Sequence, residues 1–124
     1  MIKVSKPWGY ELILTPSWLP FTVKVAFTKA GSRWSLQYHE EKTEIIILIK
    51  GKGNFILEDK ERGSRFCFIR PLQRHRFCAK TNCFTFELST PEKGKTVRIE
   101  DDYRRGDETE KDRIKKMRRF YGTV

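Results

Sequence analysis

The feature that most constrains this chain is the rhythm of its apolar residues. Short β-branched and aromatic runs recur through the first hundred residues, each closed by a turn signal. Runs at 10–14, 21–27, 35–39, 44–49, 54–57, 66–69, 84–88 and 96–99 predict about eight strands. Turns fall at Thr15-Pro16-Ser17, Lys29-Ala30-Gly31-Ser32, Glu40-Glu41-Lys42-Thr43, Gly51-Lys52-Gly53, 59–63 and 91–94. Such spacing leaves no room for crossover helices, so the expected fold is all-β, an antiparallel barrel or jelly roll whose closure removes exposed sheet edges. Within 21–27, Phe21, Val23, Val25 and Phe27 share one face, with Lys24 and Ala26 on the other. The run Ile45-Ile46-Ile47-Leu48-Ile49 is apolar on both faces, so its outer face needs a cover. An N-terminal strand or a second subunit would serve, and a homodimer is the expectation.

At 124 residues one domain is expected, and it divides into a barrel over 1–106 and a basic tail over 107–124. In the tail, Ile114, Met117, Phe120 and Tyr121 recur at helical spacing behind an acidic start, Asp107 to Glu110, which predicts a C-terminal α-helix. The net charge of +10 suits an anionic small molecule. Nucleic acid is not expected as a partner, because no zinc-finger spacing, RNP-like sequence or Gly-rich phosphate loop accompanies the charge. No apolar run approaches the roughly 20 residues of a membrane span, and Met1 to Pro7 has no signal-peptide core. A cytoplasmic protein with three reduced cysteines, Cys67, Cys78 and Cys83, is the expectation.

The chemistry is concentrated between Gly31 and Gly51, where the spacing is G-x5-Q-x-H-x4-E-x6-G: Gly31, Gln37, His39, Glu44, Gly51. Gln37 and His39 are two apart on a strand and so point to one face. The turn after His39 reverses the chain, and Glu44 is expected to open the antiparallel neighbour, opposite the imidazole. The chain's other histidine, His75, lies on a later hairpin introduced by Pro71. Two imidazoles, a carboxylate and an amide oxygen form a donor set suited to a divalent Zn, Mn, Fe, Co or Ni ion. Four ligands from strands leave room for water or substrate, as in a catalytic site.

These motifs resemble the cupins, and within them the C-terminal barrel of type II mannose-6-phosphate isomerase/mannose-1-phosphate guanylyltransferase proteins. Lys6-Pro7-Trp8-Gly9-Tyr10-Glu11 resembles their opening Pro-Trp-Gly segment, and Val23-Lys24-Val25 with Gly31 resembles the strand and turn before the ligands. Trp34-Ser35-Leu36-Gln37-Tyr38-His39 matches their Ser-Leu-Gln-x-His. Val97 to Tyr103 resembles their closing Arg-Leu-Glu-Asp-x-Tyr. The likeness covers about residues 4 to 105. It departs at Pro71-Leu72-Gln73-Arg74-His75, which lacks the glycine of Pro-x-Gly-x-x-His and is one residue shorter. The closing Tyr-Gly-Arg reads Tyr103-Arg104-Arg105. No nucleotidyltransferase domain accompanies the barrel, so guanylyl transfer is not expected of this chain.

The resemblance implies a single cupin (double-stranded β-helix) barrel and aldose–ketose interconversion of a sugar phosphate. Glu87 and Lys24 sit opposite apolar neighbours on their strands and so point inward. Glu87 is the candidate general base, and Lys24 a polarising or phosphate-binding group. Arg98 and Arg105 are candidate phosphate contacts at the mouth. Trp8, Trp18 and Trp34 can stack on a sugar, although core packing is expected of at least two. The rival expectation is a non-catalytic carbohydrate-binding or regulatory module; an inward base beside the metal ligands separates the two. An iron dioxygenase would use the same ligands, and a tail that binds nucleic acid predicts steep salt dependence.

Overall fold

The computed structural model describes residues 1–109, 111 and 112, and these build eleven strands. The strands are β1 (Ile2–Lys6), β2 (Gly9–Ile13), β3 (Thr22–Thr28), β4 (Leu36–His39), β5 (Glu44–Lys50), β6 (Gly53–Leu57), β7 (Lys60–Arg62), β8 (Phe66–Ile69), β9 (His75–Ala79), β10 (Cys83–Ser89) and β11 (Thr96–Glu100). One sheet has six strands in the order β1-β2-β3-β10-β5-β8; the other has five, β11-β4-β9-β6-β7. All the pairings are antiparallel. From β3 onward successive strands alternate between the sheets, apart from the β6–β7 hairpin. That alternation is the winding of a double-stranded β-helix, so the expected all-β cupin barrel is what the chain forms.

The winding corrects one expectation. Glu44 does not open a strand paired with that of His39, because β4 and β5 lie in opposite sheets. Glu40-Glu41-Lys42-Thr43 has no Gly, Asn or Asp for a tight hairpin turn. It is instead a corner between sheets, held by the Glu40 N–H to Lys95 O (3.0 Å) and the Thr43 N–H to Thr90 Oγ1 (3.0 Å). The motif glycines serve the turns. Gly51 has φ +102°, and a Cβ there would strike the backbone of Asn82.

The core lies between the sheets at one end of the barrel. Phe55, Phe77 and Trp34 meet in tilted ring pairs at 4.9 and 5.4 Å, and Trp8 adds to Trp34 at 5.5 Å. Ile46, Leu48, Cys67, Ile69 and Cys83 fill the space around them. Two of the three tryptophans are therefore core residues, as expected, while Trp18 is 79% exposed. All three cysteines are free.

β1 is an N-terminal strand, one of the two covers expected for the outer face of β5. It pairs with β2 and extends the six-stranded sheet in its own plane. It therefore does not cover the outer face of β5, where Ile45, Ile47 and Ile49 remain open. At the other end of the chain Glu108 bridges to Thr96 on β11, and Thr109 and Asp112 cap each other through side chain to backbone bonds. The expected helix beyond them, with Ile114, Met117, Phe120 and Tyr121, lies outside the described residues.

Candidate metal centre

β4 and β9 are neighbours, with Gln37 directly opposite His75. Period-two alternation then turns Gln37, His39 and His75 to one face, into the barrel. Glu44 enters from the first residue of β5 in the opposite sheet, so the site spans both layers. One ligand atom from each of His39, Glu44 and His75 falls within 4.8 Å of the others, and all three residues are buried. Glu44 Oε1 lies 3.1 Å from His75 Nε2 and 3.6 Å from His39 Nε2. Gln37 lines the same cavity, its Oε1 accepting from Ser35 Oγ at 2.6 Å.

His75 reaches this position although its turn lacks the expected glycine. Leu72 takes the left-handed conformation, φ +69°, and its N–H donates to His39 O at 2.8 Å. The shorter turn is thus closed by a strained leucine that ties the two histidine-bearing segments together.

Both rings are oriented from behind. His75 Nδ1 bonds Gln73 O at 2.9 Å, and His39 Nδ1 lies 2.9 Å from Thr96 Oγ1 and 3.0 Å from Glu92 Oε1. Thr96 in turn donates to Glu92. Holding Nδ1 leaves each Nε2 facing Glu44, which is how metal-ligating histidines are set. His75 Nε2 is buried and faces Glu44 Oε1 at 3.1 Å without the alignment of a hydrogen bond, an arrangement that an ion between the two atoms would satisfy. Burial opposes the Glu44 charge, but Lys42 and the two imidazoles outweigh it and hold the carboxyl well below its ordinary range. It is therefore ionised, as a ligand must be. The donor set and its orientation fit a divalent cation.

Beside this group runs a ladder of alternating charges that sequence reasoning found only in part. Lys6 Nζ is 3.2 Å from Glu11, Glu11 is 3.8 Å from Lys24 Nζ, and Lys24 Nζ is 4.0 Å from Glu87. Glu87 Oε2 is 3.2 Å from Lys42 Nζ, which lies 2.9 Å from Glu44 Oε2. Lys24 and Glu87 point inward as expected. Burial first, and then the neighbouring Glu44 charge, raises the Glu87 pKa. Glu11 alternates with Tyr10 and Leu12, the same signal that marked Lys24. Lys42 carried no such signal: it sits in a corner, yet it is 3% exposed.

Arg98 and Arg105 line the cavity mouth but are already engaged. Arg98 Nη1 donates to Gly106 O at 2.6 Å and its Nη2 lies 3.7 Å from Glu108; Arg105 Nε donates to Asp101 at 2.9 Å. The cavity is about 70 Å³, room for several waters. Its charges balance among the described residues, with Lys6, Lys24, Lys42, Arg98 and Arg105 against Glu11, Glu44, Glu87, Glu92 and Glu108.

No family model and no curated protein matches the chain. Solved structures do. KdgF from Halomonas sp. superposes with a TM-score of 0.63 at 16% identity, over 71% of this chain and 83% of that one. A protein from Planctomyces limnophilus gives 0.61 at 17%, over 74% and 83%. A salicylate 1,2-dioxygenase variant from Pseudoaminobacter salicylatoxidans, in complex with gentisate, gives 0.60 at 12%, over 70% of this chain but 26% of the enzyme. At these identities the likeness is one of fold. With the geometry above, it defines a cupin barrel that carries a His/Glu group of metal-ligand spacing. No described helix is long and apolar enough to cross a membrane.

Proposed function

We propose that the chain is a metal-dependent cupin that moves a proton on a small hydroxylated anion, and that its reaction is aldose–ketose interconversion of a sugar phosphate. His39, His75 and Glu44 would hold the divalent ion, with the Gln37 amide oxygen as a fourth donor. Once bound, such an ion supplies Lewis-acid polarisation of substrate oxygens. Glu87 takes the proton from one carbon and returns it to the next, its proton affinity raised by burial. Lys24, 4.0 Å from Glu87, steadies the charge as Glu87 cycles. Arg98 and Arg105 meet the phosphate at the mouth, exchanging present partners for it. The observation that carries this reading is the buried, inward Glu87 in the same cavity as the ligand group.

Metal-loaded protein screened by NMR against hexose and pentose phosphates should form the ketose. Glu87→Gln should lose roughly a hundredfold or more of that rate while keeping its metal. His39→Ala should carry almost no metal by elemental analysis; equal, near-zero metal in wild type and variant would sink the metal site. Full metal without turnover would favour the alternative, a non-catalytic carbohydrate-binding module. One observation already supports that alternative: every cavity cation is paired with a carboxylate or carbonyl.

The functional unit we propose is a homodimer joined through the outward face of the six-stranded sheet. Ile45, Ile47, Ile49, Phe66, Phe68 and Leu88 are 36 to 60% exposed there, leaving on the order of 500 Å² of apolar surface. That exceeds the few hundred Å² usual for one patch on a monomer and approaches the roughly 800 Å² per partner of a standard interface. Lys3, over the Tyr10 ring at 4.5 Å, and Arg70, over the Phe68 ring at 5.8 Å, lie toward the two edge strands of this face, and the six apolar side chains themselves bring no charge into the contact. Sedimentation velocity should give a dimer for wild type and a monomer for Ile47→Asp. A monomeric wild type would overturn this assignment, and a fall in its melting temperature on Ile47→Asp would place the cover within the chain.

A further inference from the structure

We propose that Lys42 is a built-in counter-cation of the candidate metal centre, one that compensates its buried carboxylates when no ion is bound and thereby lowers its affinity for the ion. The proposal rests on the metal reading above, and it concerns a residue that no motif marked.

Glu44 is divided between two roles. Its Oε1 faces the Nε2 atoms of His75 and His39, at 3.1 and 3.6 Å, while its Oε2 lies 2.9 Å from Lys42 Nζ. The same ammonium is 3.2 Å from Glu87 Oε2 and 4.0 Å from Glu92 Oε2. Three carboxylates thus converge on one cation, and the Lys42 side chain is only 4% exposed. Carboxylates removed from water repel one another strongly, because little solvent remains to screen them. Among the described residues Lys42 is the one Lys or Arg within 4.0 Å of Glu44. It therefore supplies, from the chain itself, positive charge that a divalent ion would otherwise bring.

The consequence is a trade. With Lys42 present, the barrel closes around its acidic cluster whether or not metal is available. An ion arriving at His39, Glu44 and His75 then meets a carboxylate whose second oxygen is already committed, with an ammonium behind it. Like charge at that distance opposes binding. Lys42 is a positioning residue in this scheme, since it acts through Glu44. The charge balance, more than the shape of the side chain, should decide the behaviour of its variants.

Four metal-stripped proteins test this: wild type, Lys42→Arg, Lys42→Met and Lys42→Met/Glu87→Gln. Thermal melts without metal should place Lys42→Met lowest, by roughly 5 °C or more. Lys42→Arg should melt near wild type, and the double variant should recover most of the loss because one excess negative charge has gone. Calorimetric titration with Zn²⁺ alone should show Lys42→Met binding at least roughly tenfold more tightly than wild type. Unchanged or weaker Zn²⁺ affinity in Lys42→Met overturns the proposal. So does a double variant no more stable than Lys42→Met, which would make Lys42 a packing residue. Should Lys42→Met fail to fold, a double variant that folds and melts near wild type supports the proposal, and a double variant that also fails to fold overturns it. Zn²⁺ binding by none of the four overturns the metal reading and the affinity half with it, while the metal-free melts still decide the compensation half.

Discussion

Each sheet of this barrel carries a network of ion pairs, and the two networks face opposite ways. In the six-stranded sheet Lys6, Glu11, Lys24, Glu87 and Glu44 point into the barrel, and the outward positions of β3, β5, β8 and β10 are apolar. In the five-stranded sheet the outer side holds the charge. Arg33 grips Asp102 at 2.7 Å, Arg33 and Arg76 both reach Glu100, at 3.0 and 3.3 Å, and phenylalanines 55 and 77 lie in the core. The usual binary pattern, apolar inside and polar outside, describes the outer side of one layer; in the other the inward side mixes these charges with core residues Ile46, Leu48, Cys67 and Ile69 while the outward side is largely apolar. Such a sheet suits an inner wall, with a polar cavity on one side and an apolar face on the other that the homodimer proposed above would cover. The five-stranded sheet is built to be the outside of the molecule.

Acid should break the layer that carries its charges inward first, and this is the largest effect expected. Burial opposes the Glu11 charge, but Lys24 and then Lys6 outweigh it, and the pKa falls to about 2 from 4.5. Glu44 is held well below 4.5 as well. A folded-state pKa below the unfolded value contributes stability that is fully present above pH 4.5 and lost as pH falls toward 2. Circular dichroism melts should therefore show a steep fall in melting temperature through that window. A melting temperature that stays level down to pH 2 would mean that these carboxylates contribute no net stability.

Glu11→Gln sharpens the comparison at neutral pH. It leaves Lys24 and Lys6 without their shared carboxylate in a poorly solvated wall, so urea unfolding should show a loss on the order of 3 kcal/mol. The variant should also lose part of the acid limb, because one of the groups that titrates there is gone. A loss of similar size at pH 7 and below pH 3 would assign Glu11 a packing role instead.

How much of this was legible follows from the range of each signal. Strand alternation is local, so Lys24 and Glu87 could be read as inward, and Glu11 could have been read the same way from Tyr10 and Leu12. Gln37 and His39 share a strand, and two residues of spacing were enough to place them together. Which strands become neighbours is not local. Between His39 and Glu44 the one local hint is the lack of a Gly, Asn or Asp turn, which argues against a tight hairpin but does not say which sheet the chain enters next, so the carboxylate was placed on the wrong neighbour although it reaches the right site. Lys42 is the extreme case, since a lysine among glutamates in a turn has the pattern of a solvated surface. Its burial depends on Glu87 and Glu92, some fifty residues away and carried in by other segments. The Arg33 to Asp102 pair spans 69 residues and is equally silent in sequence.

Arg33→Ala should give the smallest effect, and it marks the boundary between the two networks. By geometry alone the pair outranks any in the barrel interior: Arg33 Nε and Nη2 each meet an Asp102 oxygen at 2.7 Å, in bidentate fashion. Both side chains are nevertheless 40% exposed, so water competes for each bond and salt screens what remains. Removing Arg33 should cost less than about 1 kcal/mol in urea unfolding, and the cost should shrink further in high salt. Glu11→Gln, in contrast, should respond little to salt because its partners are screened poorly. Equal and salt-insensitive losses at the two sites would mean that the outer face of the five-stranded sheet is buried too, leaving neither layer as the outside of the molecule. The shorter, better-aligned pair should matter less than the longer one inside, because the surroundings of an ion pair set its worth more than its length does.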